Sequence, residues 1–168
     1  MCKNPDMASS PSADAAVVDF AGQLLFRLWR VSHTRTAEAL DSLGLTTALF
    51  ALLNVLGTHE GAIQQELGAA MGIDPSTMVA LIDQLEAAGL AKRRPRPTDR
   101  RAREVVITPK GRRVLKRAQQ LAMEVEDDVF RGLSGAERRQ VVALLRRALD
   151  SAPPQSLWTA EDGGVTRH

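Results

Sequence analysis

The chain has 168 residues, 44% of them hydrophobic, which suffices for one domain with a buried core and appended helices. Its single cysteine excludes an internal disulfide, and no apolar run approaches the roughly eighteen residues of a membrane span. The formal net charge is only +2, but residues 92–117 hold twelve Lys or Arg against Asp99 and Glu104. Such segregation of charge is typical of a surface that meets a polyanion. Because a signal-peptide pattern is absent, we expect a cytoplasmic protein.

Apolar residues at helical spacing dominate the N-terminal part of the chain. They follow a leader at 1–13 that is rich in Ser, Pro and Asp and is predicted to be disordered. A long helix is predicted over 14–45, and its apolar stripe contains Val17, Phe20, Ala21, Leu24, Leu25, Leu28, Trp29 and Val31. Because so broad a stripe exceeds what one small domain buries, we interpret this segment as a dimerisation helix.

Residues 46–108 have the pattern of a compact domain that contains short helices and a hairpin. Its first helix begins at Thr46 or Thr47 and has four predicted core residues: Leu49, Leu52, Leu53 and Leu56. A second helix is predicted over 63–71, with three residues directed inward: Leu67, Ala70 and Met71. Gly72 then turns the chain tightly into a third helix.

The third helix has clear signals at both ends. Asp74 is a good N-cap, Pro75 fits the first helical position, and Gly89 ends the helix. Its predicted core stripe is Met78, Leu81, Ile82 and Leu85. Two short helices joined by a tight glycine turn predict a helix-turn-helix, in which this third helix is the recognition helix.

The opposite face of the recognition helix is small or hydrogen-bonding and, apart from Asp83, carries no negative charge. We predict that four of its residues contact DNA: Ser76, Thr77, Ala80 and Gln84. The alternative is that Ser76 and Thr77 only cap the helix and that Gln84 is merely solvated.

Two short extended runs, 90–94 and 103–108, flank a polar loop with prolines at both ends, which predicts a β-hairpin wing. The predicted DNA contacts of the wing and the helix start behind it are Arg96, Arg100, Arg101, Arg103 and Lys110. The arginines of the wing could instead form a solvated face. Lys110 lies at a helix N-terminus, where the helix dipole disfavours a cation, and a carboxylate could stabilise its charge as well as a phosphate could.

The C-terminal segment 109–150 is predicted to form two more helices, followed by a tail at 151–168. Thr108 caps the first of them, which should run to about Arg131, and Ser134 with Glu137 has the spacing of a capping box. Long apolar helices at both ends predict a homodimer, and two-fold symmetry then predicts a palindromic operator in double-stranded DNA.

Five pieces of the sequence, in this order and spacing, resemble the MarR family of bacterial winged helix-turn-helix regulators. They are Gln65–Gly68, Asp74–Val79, Leu85–Leu90, Asp99–Arg101 and Ile107–Gly111. The resemblance implies a mainly α fold with a small β-hairpin wing between long N- and C-terminal dimerisation helices. It also implies that Arg101, at the family's acidic-x-Arg signature, enters the DNA minor groove.

The resemblance further implies a repressor that a small aromatic or phenolic, often anionic, ligand releases from DNA. The candidate ligand-binding residues lie on one face of the first helix: Phe26, Trp29, Arg30 and His33. Arg30 or His33 could hold a carboxylate and Trp29 could stack on a ring. The alternative, which the residues alone favour, is that Trp29 packs in the dimer interface and His33 is a hydrogen-bonded interfacial histidine.

Two other function classes were weighed. An enzyme is disfavoured because the three histidines are scattered and no phosphate loop, nucleophile elbow or metal-ligand spacing is present, so no cofactor is expected. The stronger alternative is a protein that binds DNA constitutively, as an architectural or silencing factor without an effector.

Overall fold

The computed structural model describes residues 20–59, 61–96 and 99–151, with the backbone alone for residues 99–101. The helices in these ranges are α1 (Ala21–Asp41), α2 (Thr47–Thr58), α3 (Gln64–Met71), α4 (Pro75–Ala87), α5 (Pro109–Val129) and α6 (Gly135–Ser151). The strands are β1 (Ala62–Ile63), β2 (Ala91–Arg96) and β3 (Asp99–Ile107). This mainly α architecture with a β-hairpin wing confirms the predicted fold class. The predicted leader and all of the predicted tail except Ser151 lie outside the described residues.

The predicted capping residues are where the helices begin. Thr46 and Thr108 each accept a hydrogen bond from the N–H of the third residue of their helices, at 3.2 and 3.0 Å. The Ser134 N–H donates to Glu137 at 2.7 Å, and the Glu137 N–H donates back to the Ser134 hydroxyl at 3.4 Å, which is the predicted capping box. The Ser134 hydroxyl also donates to the Glu137 carboxylate, at 2.6 Å, and this bond together with the one from the Ser134 N–H lowers the pKa of Glu137.

The core lies between α2, α3, α4 and the sheet. Its most deeply buried side chains are Leu40, Leu52, Leu53, Leu56, Leu67, Met78, Ile82, Leu85 and Val105, each less than 2% exposed. The predicted stripes of α2 and α4 are therefore confirmed. The prediction for Ala70 was wrong, because Ala70 is exposed and Gly68 takes the inward position. An added Cβ on Gly68 would lie 3.1 Å from the Ile73 carbonyl oxygen, a tight contact that would require a small shift of the backbone.

The wing belongs to a three-stranded antiparallel sheet in the order β1-β3-β2. Strand β1 was not predicted, since two residues carry no detectable period. The paired strands are also longer than predicted, because pairing continues through Pro95 to Arg96 opposite Asp99. Pro95 is tolerated because β2 is an edge strand, where a missing N–H breaks no ladder on its outer side. A register shift between Pro95 and Arg96 follows.

The N-terminal and C-terminal helices leave much apolar surface uncovered. Helix α1 packs on α5, and the guanidinium of Arg35 is paired with Asp128. Its exposed apolar side chains include Phe20, Leu24, Leu25, Phe26, Trp29 and Val31, each between 46% and 65% exposed. No residue of α6 is buried. Within the described ranges, no helix is both long enough and apolar enough to cross a membrane.

A tight joint connects the end of α4 to the start of α5. The Thr108 hydroxyl donates to the Gly89 carbonyl at 2.8 Å, and the Thr108 N–H donates to the Leu90 carbonyl at 2.9 Å. Gly111, in the first turn of α5, lies directly against the same Leu90 carbonyl. A side chain at Gly111 would overlap with that oxygen, so this close approach requires glycine.

We predict that Gly111→Ala lowers the free energy of unfolding by about 3 kcal/mol, because backbone must move to admit the Cβ. Denaturant unfolding followed by circular dichroism measures the change. Gly132→Ala is the matched control, since an added Cβ there meets nothing within 4 Å. Equal stability of the two variants would contradict the close contact.

Candidate DNA-binding surface

The start of α4 is fixed by Asp74, whose carboxylate accepts the backbone N–H groups of Ser76 and Thr77, both at 3.0 Å. The Ser76 hydroxyl donates to the same oxygen at 2.5 Å. Hydrogen bonds from Ser76 and Thr77 hold the pKa of Asp74 well below its usual range. Both predicted contact residues therefore take part in the cap. Their hydroxyl oxygens keep acceptor capacity, so the DNA contacts stay predictions.

The outer face of α4 is accessible along its length. The predicted contact residues Ser76, Ala80 and Gln84 are exposed, and Thr77 is half-buried. Val79 is also exposed, at 38%, and the sequence analysis did not select it. Val79 follows Ser76 by three residues, and this spacing could have placed it beside the predicted contact face. It was missed because an apolar residue next to a core stripe is easily assigned to the core.

Arg93 on β2 ties the wing to α4. Its guanidinium lies 2.6 Å from an Asp83 carboxylate oxygen and is also paired with Glu86, and its backbone N–H donates to Glu86 at 2.6 Å. Partial burial acts to lower the pKa of Arg93, but the hydrogen bonds that its guanidinium donates to Asp83 and Glu86 raise it overall. One arginine charge is thus shared by the two carboxylates, which reduces but does not cancel the negative charge beside the exposed face of α4.

Two more arginines of β2 are held by carboxylates. Arg94 lies 2.5 Å from Glu104, which is only 4% exposed and packs against Gly61. Arg96, a predicted DNA contact, lies 3.6 Å from Glu66 on α3. Part of its charge is therefore balanced by Glu66 of the helix-turn-helix, and its DNA contact stays a prediction.

The remaining predicted contacts fall at different places along the wing and the joint. Arg103 is exposed and stands opposite Pro95, whereas Arg100 and Arg101 lie on β3 with side chains outside the described residues. The Lys110 ammonium donates to the Ala88 carbonyl at 2.7 Å. Its partner is thus the carbonyl end of α4, where a cation is favoured by the helix dipole, rather than a carboxylate.

Three of the four candidate ligand residues form one aromatic column on α1. The ring centroids of Phe26 and Trp29 are 6.0 Å apart, and those of Trp29 and His33 are 5.0 Å apart. The His33 Nε2 lies 3.3 Å from the Thr47 hydroxyl, so its hydrogen bond is made within the chain. Arg30 lies apart from the column, on the wall of an open hollow of about 540 Å³ with Arg27 and Arg35.

Comparison with known proteins identifies the fold. A MarR family model matches residues 43–102. A candidate transcriptional regulatory protein for the hcr operon of Thauera aromatica is 34% identical over 156 residues, covering 89% of this chain and 94% of that protein. The chain belongs to the MarR family. MarR proteins are transcriptional regulators and not enzymes, which confirms the class predicted from the sequence.

Two solved MarR-family structures are informative. Rv2887 of Mycobacterium tuberculosis, in complex with DNA, has a TM-score of 0.68 at 26% identity and covers 78% of this chain and 98% of its own. CouR of Rhodococcus jostii, bound to p-coumaroyl-CoA, has a TM-score of 0.68 at 29% identity, covering 82% of this chain and 96% of its own. One relative is thus seen with DNA and another with an aromatic thioester.

We predict that Arg93→Ala lowers the free energy of unfolding by about 1 to 2 kcal/mol, a modest value because Asp83 is largely solvent-exposed. The double variant with Glu86→Ala should lose less than the sum of the single changes, because both remove the same ion pair. Denaturant unfolding of the four proteins gives this cycle. Arg146→Ala, on the exposed α6, is the control, and full additivity would refute the tie.

Proposed function

We propose that this MarR-family regulator is a homodimeric, sequence-specific repressor that a small aromatic or phenolic ligand releases from a palindromic operator. The carrying observation is the accessible face of α4, which lies beside a basic wing and whose two nearby carboxylates are both paired with Arg93. The DNA complex of the similar mycobacterial protein supports DNA as the partner of this face.

Electrostatics favour DNA over a neutral partner. Residues 92–117 carry twelve cations and two anions, and the second anion, Glu104, is buried against Arg94. The proposed contacts are Ser76, Thr77, Ala80 and Gln84 in the major groove, with Arg96, Arg100, Arg101, Arg103 and Lys110 along the backbone and minor groove. Phosphate contacts would fix the orientation of the dimer, and α4 would supply base recognition.

The uncovered apolar faces of α1 and α6 support a second copy of the chain as partner. Six large side chains near the start of α1 are about half exposed, which is costly for a monomer in water. A two-fold dimer built on these helices would place two copies of α4 in successive major grooves and so select a palindrome.

The aromatic column of Phe26, Trp29 and His33 supports an aromatic effector. The half-exposed rings of Phe26 and Trp29 offer a stacking surface, whereas Arg30 lies apart from the column, on the wall of the hollow that it shares with Arg27 and Arg35. An acidic group of the ligand would have to extend from the rings to that hollow to pair with Arg30. CouR binds p-coumaroyl-CoA, so a related fold accommodates an aromatic acyl group. The competing interpretation, that the column only packs against the second subunit, predicts no ligand effect at all.

The first functional prediction concerns Arg101. Arg101→Ala should weaken operator binding by about 1 to 3 kcal/mol and flatten the slope of log K against log salt, roughly −5 for the unaltered protein, by about 1. Fluorescence anisotropy across a salt series measures both. Arg147→Ala, which removes an exposed charge from α6, should change neither. If the two variants bind equally well, Arg101 does not contact DNA.

The second concerns the effector. With Trp158→Phe as the background, p-coumaroyl-CoA or free p-coumarate should quench Trp29 fluorescence and weaken operator binding at least tenfold, which requires about 1.4 kcal/mol of coupling. His33→Ala and Arg30→Ala should reduce both effects. Quenching without DNA release would contradict control by this site. If neither compound acts, the constitutive DNA-binding alternative gains support.

A further inference from the structure

Val79 is an exposed apolar residue midway along α4, at the edge of the face proposed to meet DNA. It lies one turn after Ser76 and one turn before Asp83, with 38% of its surface exposed. Its neighbours in the core stripe, Met78 and Leu81, are at most 4% exposed, so Val79 is not part of the core. A β-branched residue at an exposed helix position is also a poorer helix former than alanine. Its position therefore has no stabilising explanation within the helix.

The polar groups on either side of Val79 are already engaged. The Ser76 hydroxyl is bonded to Asp74, and Asp83 is paired with Arg93. Across the described residues, Gln84 is the exposed polar side chain of this face that makes no hydrogen bond with another part of the structure. The face thus offers two small apolar side chains, Val79 and Ala80, followed by one unengaged amide.

We infer that Val79 contacts the C5-methyl group of a thymine in the major groove, an inference that rests on the DNA-binding function proposed above. The thymine methyl is the one apolar group that base edges present in that groove, and small apolar side chains are its usual contacts. Gln84 stands five residues further along the helix, about 7.5 Å by rise and roughly 140° around the axis, so the two side chains address different positions in the groove.

The experiment uses the full-length protein and a duplex that it enriches from a random-sequence library. Each thymine of one half-site is replaced in turn by deoxyuridine, which removes only the methyl group, and Kd is measured by fluorescence anisotropy. One replacement should weaken binding about fourfold, the factor expected for one buried methyl group, and the symmetric double replacement about fifteenfold. Val79→Ala should bind the thymine duplex more weakly and show no further loss with deoxyuridine.

Val142→Ala is the matched control, because Val142 is similarly exposed, at 42%, but lies on α6 rather than on α4. Any effect of this change on the proposed dimer contact would weaken binding to the thymine and deoxyuridine duplexes alike, so the ratio of the two Kd values is compared. It should keep the full deoxyuridine penalty. Thermal unfolding should show that Val79→Ala is no less stable than the unaltered protein, which excludes misfolding as the cause of weaker binding.

Two results would overturn the inference while leaving DNA binding intact. One is unchanged affinity for every deoxyuridine duplex. The other is a deoxyuridine penalty that persists in full in Val79→Ala. Failure to enrich any duplex would instead overturn sequence-specific DNA binding itself.

Discussion

The contact between Gly111 and the Leu90 carbonyl fixes the position of α5 relative to the end of α4. Although the wing separates α4 from α5 in sequence, the start of α5 lies directly against the residues that follow α4, and α5 also packs on α1. Thr108 strengthens the joint by capping α5 while donating to the end of α4. A change in the direction of α5 must therefore be transmitted to α4 or strain this contact. A regulator needs such stiffness if events at α1 are to reach the DNA.

Much of the fold follows from local sequence rules. Asp74, Thr108 and the Ser134–Glu137 pair were predicted as caps because capping depends on neighbours only three residues away. The core stripe of α4 was equally clear, since its four large apolar residues leave one choice of buried face. Three of these four side chains are less than 2% exposed and are among the most deeply buried of the described residues.

The features that escaped sequence analysis depend on contacts between distant segments. Strand β1 exists because β3 offers it a free edge, and Ala70 is exposed because Gly68 packs against Ile73. The bonds of Arg93 to Asp83 and of Lys110 to Ala88 join residues 10 and 22 positions apart. No periodicity reports such pairs. Within the DNA-binding surface, the sequence therefore located the helix and the wing but could not tell engaged charges from available ones.

On and around the outer face of α4, the residues that hold the helix in place differ from the residues that are free to contact a partner. Asp74, Asp83 and Glu86 hold the helix in place through hydrogen bonds and ion pairs, whereas Val79, Ala80 and Gln84 are exposed and contribute little to holding the fold together. Substitutions at the second group should leave the scaffold stable. Under the DNA-binding role proposed for this face, a change at one of these three positions would alter the preferred target sequence while the protein stays folded. The same separation makes them the positions to randomise in a selection for new targets.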